Sequence, residues 1–403
     1  MSQSSSHYSL ANKVVVLFCG VLFCLTLSGC AKDIVCSTKP TFFPPPPDQP
    51  RIQWLTGITT SKDIGAKETQ SGFSVFLSGR EKPDIIRTVG KSNGIVAYKN
   101  KLYVAEIAHG RVLIIDPVNG TFEYLKGAST PRGALKAPAN LAFDSEGNMY
   151  VADTDRREIV VFDKAGNYVN AFGKDLANDS KIVSVGVYQD VLYALDLGTS
   201  RIRVLDRKTG AESRSFGYSE QPNQSLRAPY NFTFDSAGAI YVTNVGNNKV
   251  MKYDIDGNFL GAFGGTGARP GLFVKPRGVA VDASGRIFVA DGGVNIVSAF
   301  DDKFRLLTFF GWPGLETGSL DIPSGIAVTK ENLSYYQKYA VPGFQLEELI
   351  FVVNQFGHDW CIPRISIYGL GQMQGQKNDA KSETKVDSKS DVQQKGGKDK
   401  PQN

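Results

Sequence analysis

Histidine and cysteine are both scarce in this chain, at three and five of 403 residues, which narrows the metal and thiol chemistry open to it. No Cys-x-x-Cys-His motif occurs, so covalent haem attachment is excluded. Basic clusters are missing too. Basic residues exceed acidic ones by 45 − 40 = 5, and the charges are spread along the chain rather than gathered between aromatics as a nucleic-acid surface requires. A nucleic-acid partner is therefore not expected. The apolar run Val14 to Leu27 covers 14 residues, too few to span a hydrocarbon core about 30 Å thick, which disfavours a permanent transmembrane helix there. What the chain does have is 41% hydrophobic positions, enough for a large core, with 42 Gly, 16 Tyr and 24 Phe. That composition suits many short strands and tight turns, and the expected fold class is all-β.

Residues 1–29 read as a secretory signal peptide: Met1 to Lys13 is polar, Val14 to Leu27 is apolar, and small residues precede Cys30. The tetrapeptide Leu27-Ser28-Gly29-Cys30 resembles the bacterial lipobox. That resemblance implies cleavage before Cys30, diacylation of its thiol and a lasting hold on a membrane, each buried methylene contributing about 0.8 kcal/mol. Ala31, standing where an aspartate would follow the anchor, implies the outer membrane. Cys19 and Cys24 leave with the signal, so Cys36 and Cys361 remain; an exported compartment allows them to bridge, and the alternative is two free thiols. Residues 30–50 hold the lipidated cysteine and a Pro-rich stretch, Phe42-Phe43 followed by Pro44 to Pro47, expected as a stiff spacer rather than a folded element. Residues 372–403 alternate Lys with Asp or Glu among Gln, Ser and Gly, the pattern of a disordered charged tail.

Residues 51–371 carry a repeat. Gly or Asn followed by an apolar residue recurs as Gly94-Ile95, Asn140-Leu141, Gly186-Val187, Asn231-Phe232, Gly278-Val279 and Gly325-Ile326, at spacings of 46, 46, 45, 47 and 47. A second strand signal follows each, as in Tyr103 to Glu106 or Tyr150 to Asp153; in the sixth unit an insertion over roughly Lys330 to Glu348 delays it to Phe351 to Asn354. A third strand and a fourth ending in Phe-Gly complete the unit, as at Tyr168 to Gly173. Four strands per period of about 46 residues is the arithmetic of a propeller blade, and six periods give six blades. The sixth unit stops after its third strand, Arg364 to Tyr368, while Arg51 to Leu55 is a strand signal without a blade. The N-terminal strand is expected to complete the last blade and close the ring, which also brings Cys36 and Cys361 to one sector.

The units resemble NHL repeats, best at 138–173 and 276–311, and the resemblance covers roughly 51–370. It implies a six-bladed β-propeller but not a single function, because such propellers serve enzymes and scaffolds alike. Chemistry in a propeller belongs at the axial funnel, where first strands begin and second strands end. The first ring of side chains there is expected to be Asn93, Ala139, Val185, Tyr230, Arg277 and Ser324. Asn140 and Asn231 stand where other blades have glycine, either as amide ligands for a metal or substrate or because the position needs a positive φ. The second ring is Glu106, Asp153, Asp196, Asn244, Asp291 and Asn354, carboxylates open to a cation but expected to cap the turn into the third strand.

His109 and His358 lie just past the second strands of blades one and six, where they could share a divalent metal with Glu106 or Asp359; the alternative is two exposed loop histidines. Lys136, Arg227, Lys275 and Arg277 form a basic set on the same face, there to attract an anionic partner or simply as a solvated rim. The insertion, with Tyr335, Tyr336, Tyr339, Val341 and Phe344, either meets a partner or packs over blade six. NHL propellers resemble peptidyl-amidoglycolate lyases, whose zinc is held by histidines from several blades, and two mature histidines do not supply three ligands. Lactonase-like propellers need an axial acid, which is not evident at the first-strand starts. The expected function is thus a lipid-anchored, non-catalytic scaffold of the bacterial cell envelope that binds another envelope or extracellular protein without a cofactor. The alternatives are a metal-dependent lyase- or lactonase-like enzyme, or a small-ligand binder whose funnel contacts are Asn93, Asn140, Tyr230, Asn231 and Arg277.

Overall fold

Second and third strands in this chain are apolar on both faces. Met149–Asp153 with Glu158–Phe162, and Ile287–Asp291 with Ile296–Phe300, are buried along their whole lengths. A sheet built from such strands must be covered on both sides, and only neighbouring sheets can do it. The outer strands differ: Glu212–Phe216 has three exposed residues out of five, as suits a strand at the rim.

The computed structural model describes residues 39–66, 86–173, 179–357 and 362–374. Among these the chain forms six antiparallel sheets, five of four strands and one of five. The first strands of the blades are Ser92–Tyr98, Pro138–Phe143, Ile182–Tyr188, Pro229–Phe234, Pro276–Val281 and Pro323–Thr329. Each packs on the next, and the sixth packs on the first, so the ring is closed. Six apolar clusters fill the joints between blades, one for each joint. The fold is the expected six-bladed β-propeller.

Blade six joins the two ends of the folded region. Its strands run in the order Phe42–Phe43, Ile52–Ile58, Ile365–Met373, Phe344–Asn354 and Pro323–Thr329. Ile52 pairs with Leu370, Trp54 with Tyr368 and Ile58 with Ile365, so the N-terminal strand supplies the place that the sixth unit left empty.

The fifth strand corrects the expectation of a spacer. Phe42 and Phe43 pair with Gln53 and Ile52, and Phe43 is 2% exposed, with its ring 4.8 Å from that of Trp312 and 6.1 Å from those of Phe310 and Tyr368. Burying one such ring contributes about 1.5–3 kcal/mol, which outweighs the stiffness of the prolines that follow it. The last strand also runs to Met373, two residues beyond the expected boundary at 371. In the insertion, Tyr336 and Phe344 are buried in the cluster between blades six and one. Gln53 latches this insertion to the N-terminal strand, donating to the Tyr339 carbonyl at 3.2 Å and accepting from the Val341 N–H at 3.1 Å. The insertion therefore packs over blade six. The signal segment, Cys30, Cys36, His358, Cys361 and the tail from 375 lie outside the described residues.

Candidate functional site

Every first strand begins with a break in its ladder. Ser92 faces Glu106 and Gly94 faces Ala105; Pro138 faces Asp153 and Asn140 faces Ala152; Pro276 faces Asp291 and Gly278 faces Ala290. Two residues on one strand thus oppose one step on the other, and the extra residue is turned out of the ladder, as a β-bulge does. The extra residues are Asn93, Ala139, Tyr230 and Arg277, with Val183 in blade three. In blade six the break spans Ser324 and Gly325. Four of the six expected first-ring residues, Asn93, Ala139, Tyr230 and Arg277, therefore stand at these breaks, whereas Ser324 is fully buried and donates its hydroxyl to the Ser92 carbonyl at 3.1 Å. Blade three is the correction: Ser184, not Gly186, faces Leu195 as Gly94 faces Ala105, so Val183 replaces Val185, which is buried in the joint between blades two and three.

At the axis the next residues meet: Gly94, Asn140, Ser184, Asn231, Gly278 and Gly325. None of them has a positive φ, so that explanation for Asn140 and Asn231 fails. Close approach explains the glycines instead. A Cβ on Gly94 would lie 2.8 Å from the Ala139 carbonyl oxygen, and one on Gly325 would lie 2.3 Å from that of Asn93. Across the other three blades polar side chains close the gap. Asn140 Nδ2 donates to Ser184 Oγ at 2.7 Å and to Asn231 Oδ1 at 2.8 Å, and Ser184 Oγ donates to Asn231 Oδ1 at 2.8 Å. Each asparagine oxygen also accepts the N–H of the residue after it, at 2.7 Å. Asn140 and Asn231 line a cavity of about 250 Å³ on the strand-start face and another of about 340 Å³ on the opposite face, so this cluster is a septum between them.

The cavity on the strand-start face has a mixed lining. Its apolar lining is Ile107, Ala137, Ala139, Val183 and Leu197, and Thr154, Asp155 and Lys181 line it too. Tyr230 lines it as well, its hydroxyl donating to Asn93 Oδ1 at 3.0 Å, where Gln355 Nε2 also donates at 2.6 Å. Burial holds the Tyr230 phenol above its ordinary value, while the positive charge of Arg277 pulls the other way. Arg277 lies over the Tyr230 ring at 5.4 Å from its centroid. The arginine is 9% exposed, and its Nε and Nη1 are buried without a hydrogen bond. A buried cation is costly unless matched, and a desolvated cation–π contact of this kind offsets about 2 kcal/mol or more of that cost.

The second ring is spent on the protein's own backbone. Asp153 accepts the N–H groups of Lys136 at 2.6 Å and Ala137 at 2.9 Å; Asp196 accepts that of Lys181 at 2.7 Å; Asp291 accepts those of Val274 at 2.7 Å and Lys275 at 2.8 Å. Asn244 and Asn354 do the same for Arg227 at 2.6 Å and Asp321 at 3.1 Å. These bonds reach 14 or more residues back in sequence, to the loop that leads into the first strand. They do more than cap the next turn: they fix where the funnel residues start. Glu106, the longer acid of the ring, faces Arg111 Nε at 2.9 Å and contacts His109 Nδ1. His109 is exposed, and the described residues contain no group of three or more metal-ligating side chains.

Of the basic set, Arg277 is buried, whereas Lys136, Arg227 and Lys275 are exposed. Correct alignment of blade three adds Lys181, three residues before Ser184 as Lys91 is before Gly94 and Lys275 before Gly278. Blades one to five thus each carry a cation just before the first strand, and Lys181 lines the cavity.

No family model matches the chain. Protein brain tumor of Drosophila melanogaster is 28% identical over 138 residues, or 33% of this chain and 13% of that protein, so the chain spans a small part of the curated relative it matches. A structural-genomics protein of unknown function from Bacteroides thetaiotaomicron superposes with a TM-score of 0.54 at 15% identity, over 79% of this chain and 75% of that one. That likeness is one of fold. A gluconolactonase from Xanthomonas campestris superposes with a TM-score of 0.49 at 15% identity, over 84% of this chain and 99% of that one.

Proposed function

We propose that the chain is an NHL-type propeller that works by binding rather than catalysis, held to the bacterial cell envelope by lipid on Cys30. The NHL assignment rests on the repeats at 138–173 and 276–311, which fold strand for strand as blades two and five, and on the match to Protein brain tumor. The observation that carries the binding reading is where the acids go. Asp153, Asp196 and Asp291 each receive N–H groups from the loop leading into the funnel, and an acid so employed frames a site instead of performing chemistry in it. A rigid ring with a small funnel on one face suits display to another envelope or extracellular protein. The anchor and the outer-membrane location come from the Leu27 to Cys30 tetrapeptide and Ala31, and a Cys36–Cys361 bridge belongs to the same exported setting.

Replacing Cys30 with serine should move the protein from the membrane pellet to the soluble fraction; retention in the pellet would refute the anchor. Elemental analysis of the purified protein bears on the catalytic alternative. A stoichiometric transition metal that disappears with His109→Ala would overturn the non-catalytic reading.

A further inference from the structure

We propose that the outer rim of blades four and five is a membrane-contact surface: the bilayer that holds the Cys30 acyl chains also receives Leu260, Leu306, Leu307, Phe309 and Leu315, and the propeller stands on its edge. This goes beyond the binding reading above but rests on the lipid anchor proposed with it. The outer strands set these blades apart. Blade one exposes Glu123 there, blade two Val169 and Asn170, and blade three Glu212, Ser213 and Arg214. Blade four exposes Leu260, and blade five exposes Leu306, Leu307 and Phe309, with no polar side chain among them. Leu315 follows in the loop after that strand, and the five side chains are between 39% and 54% exposed. The two rims adjoin, since a Cβ on Gly261, next to Leu260, would meet the Phe304 ring at 3.3 Å, and one on Gly271 would meet Leu306 at 3.8 Å. Leu306–Phe310 pairs with Ile296–Phe300 along one edge, and among the described residues no strand lies on the other. A bare edge so apolar marks a contact surface.

The start of the described chain says what covers it. Thr41 donates its hydroxyl to the Thr317 carbonyl at 3.3 Å, in the loop that holds Leu315, and Phe43 packs on Phe310 and Trp312. The chain therefore enters blade six beside the outer strand of blade five. Cys30 lies 39 − 30 = 9 residues before the first described residue, Lys39, and a stretch of that length spans at most about 32 Å when fully extended. A domain of this size is about 50 Å across, so the tether is shorter than the propeller and starts at the apolar rim. The bilayer is thus within reach of this rim already, whereas a second copy would have to be brought to it. The turn before the strand holds charges of both signs, Asp301, Asp302, Lys303 and Arg305, so the attraction is apolar rather than electrostatic. Outer strands form the circumference of the ring. Contact there lays the ring axis along the membrane plane and opens both axial cavities to the side.

Photolabelling of the full lipidated chain tests this directly. The protein is reconstituted into vesicles of phosphatidylethanolamine and phosphatidylglycerol that contain a phospholipid with a diazirine on its acyl chain; after irradiation and digestion, lipid adducts are located by mass spectrometry. Peptides holding Leu260, Leu306 to Phe309 and Leu315 should carry at least about tenfold more label than those holding Val169 or Tyr218, exposed apolar residues of blades two and three. Leu307→Ser combined with Phe309→Ser, at exposed positions that leave folding intact, should cut the label on the unaltered Leu260 and Leu315 peptides several-fold and leave Cys30 acylated. Equal labelling of all rims, or labelling at Leu260 and Leu315 unchanged in the variant, overturns the proposal, and an acylated Cys30 then leaves the anchor standing. An unlabelled rim together with a dimer that the variant dissolves makes a second copy the occupant and refutes the membrane contact. A Cys30 peptide without acyl chains removes the anchor, and this inference falls with it.

Discussion

Glu348→Gln should stabilise the propeller at neutral pH and leave it unchanged in acid. Glu348 lies in the long second strand of blade six and is 2% exposed. Its carboxylate accepts from Arg286 Nη2 at 2.7 Å, but the same guanidinium also serves the buried Asp282. One cation thus faces two buried acids at the joint of blades five and six. Burial first, and the Asp282 charge second, push Glu348 from an ordinary value of 4.5 up to about 7, with Arg286 and Lys330 opposing. An acid whose folded value is raised favours the fold fully below pH 4.5 and loses that contribution as the pH climbs through about 7. Each tenfold step in the acid constant is worth about 1.4 kcal/mol, so ionising Glu348 costs the fold roughly 3 kcal/mol. Glutamine keeps an acceptor for Arg286 and cannot ionise. Urea midpoints should therefore be equal for the two proteins near pH 4, whereas near pH 8 the variant should be the more stable by about 1–3 kcal/mol. A variant less stable than the parent near pH 8 would mean that the Arg286 ion pair outweighs the burial cost, and would refute the reasoning.

Phe43→Ala should lower unfolding stability by about 3–4 kcal/mol in chemical denaturation, because the ring fills the joint between blades five and six; a spacer residue would show no change. Asp291→Ala orphans the N–H groups of Val274, Lys275 and Gly293 and should cost on the order of 3 kcal/mol by thermal melting, with Asp291→Asn retaining part of it. Asn140→Gly separates the two explanations for that position. If the side-chain septum matters, glycine should destabilise by about 1–2 kcal/mol, whereas a backbone needing positive φ would be stabilised by it.

Blade number and ring closure were legible because they rest on local period and on an inventory of strands: an orphan strand at Arg51 to Leu55 and a missing one after Tyr368 leave a single solution. The errors came where partners are far apart in sequence. Phe42-Phe43 reads as a linker beside four prolines, since its partners Phe310, Trp312 and Tyr368 are some 270 or more residues away. Gly186-Val187 imitates the repeat signal, yet it lies 7 residues before Tyr193, whereas Gly94 lies 9 before Tyr103 and Asn140 lies 10 before Tyr150. Ser184, at 9, restores the interval, so a signal for the true register was present. That slip also hid Lys181. The septum had no such signal: Asn140 meets Asn231 across 91 residues of sequence, and only the closed ring brings them together.

The account stands on one structural claim, that the N-terminal strand is an integral member of blade six and holds the propeller ring shut. Native-state hydrogen exchange of the full chain tests it most directly, by comparing amides of Ile52–Ile58 with those of Ile365–Met373. The two strands should exchange together, at the rate of global unfolding. Exchange of Ile52–Ile58 at the rate of an exposed loop, with Ile365–Met373 still protected, would contradict the claim.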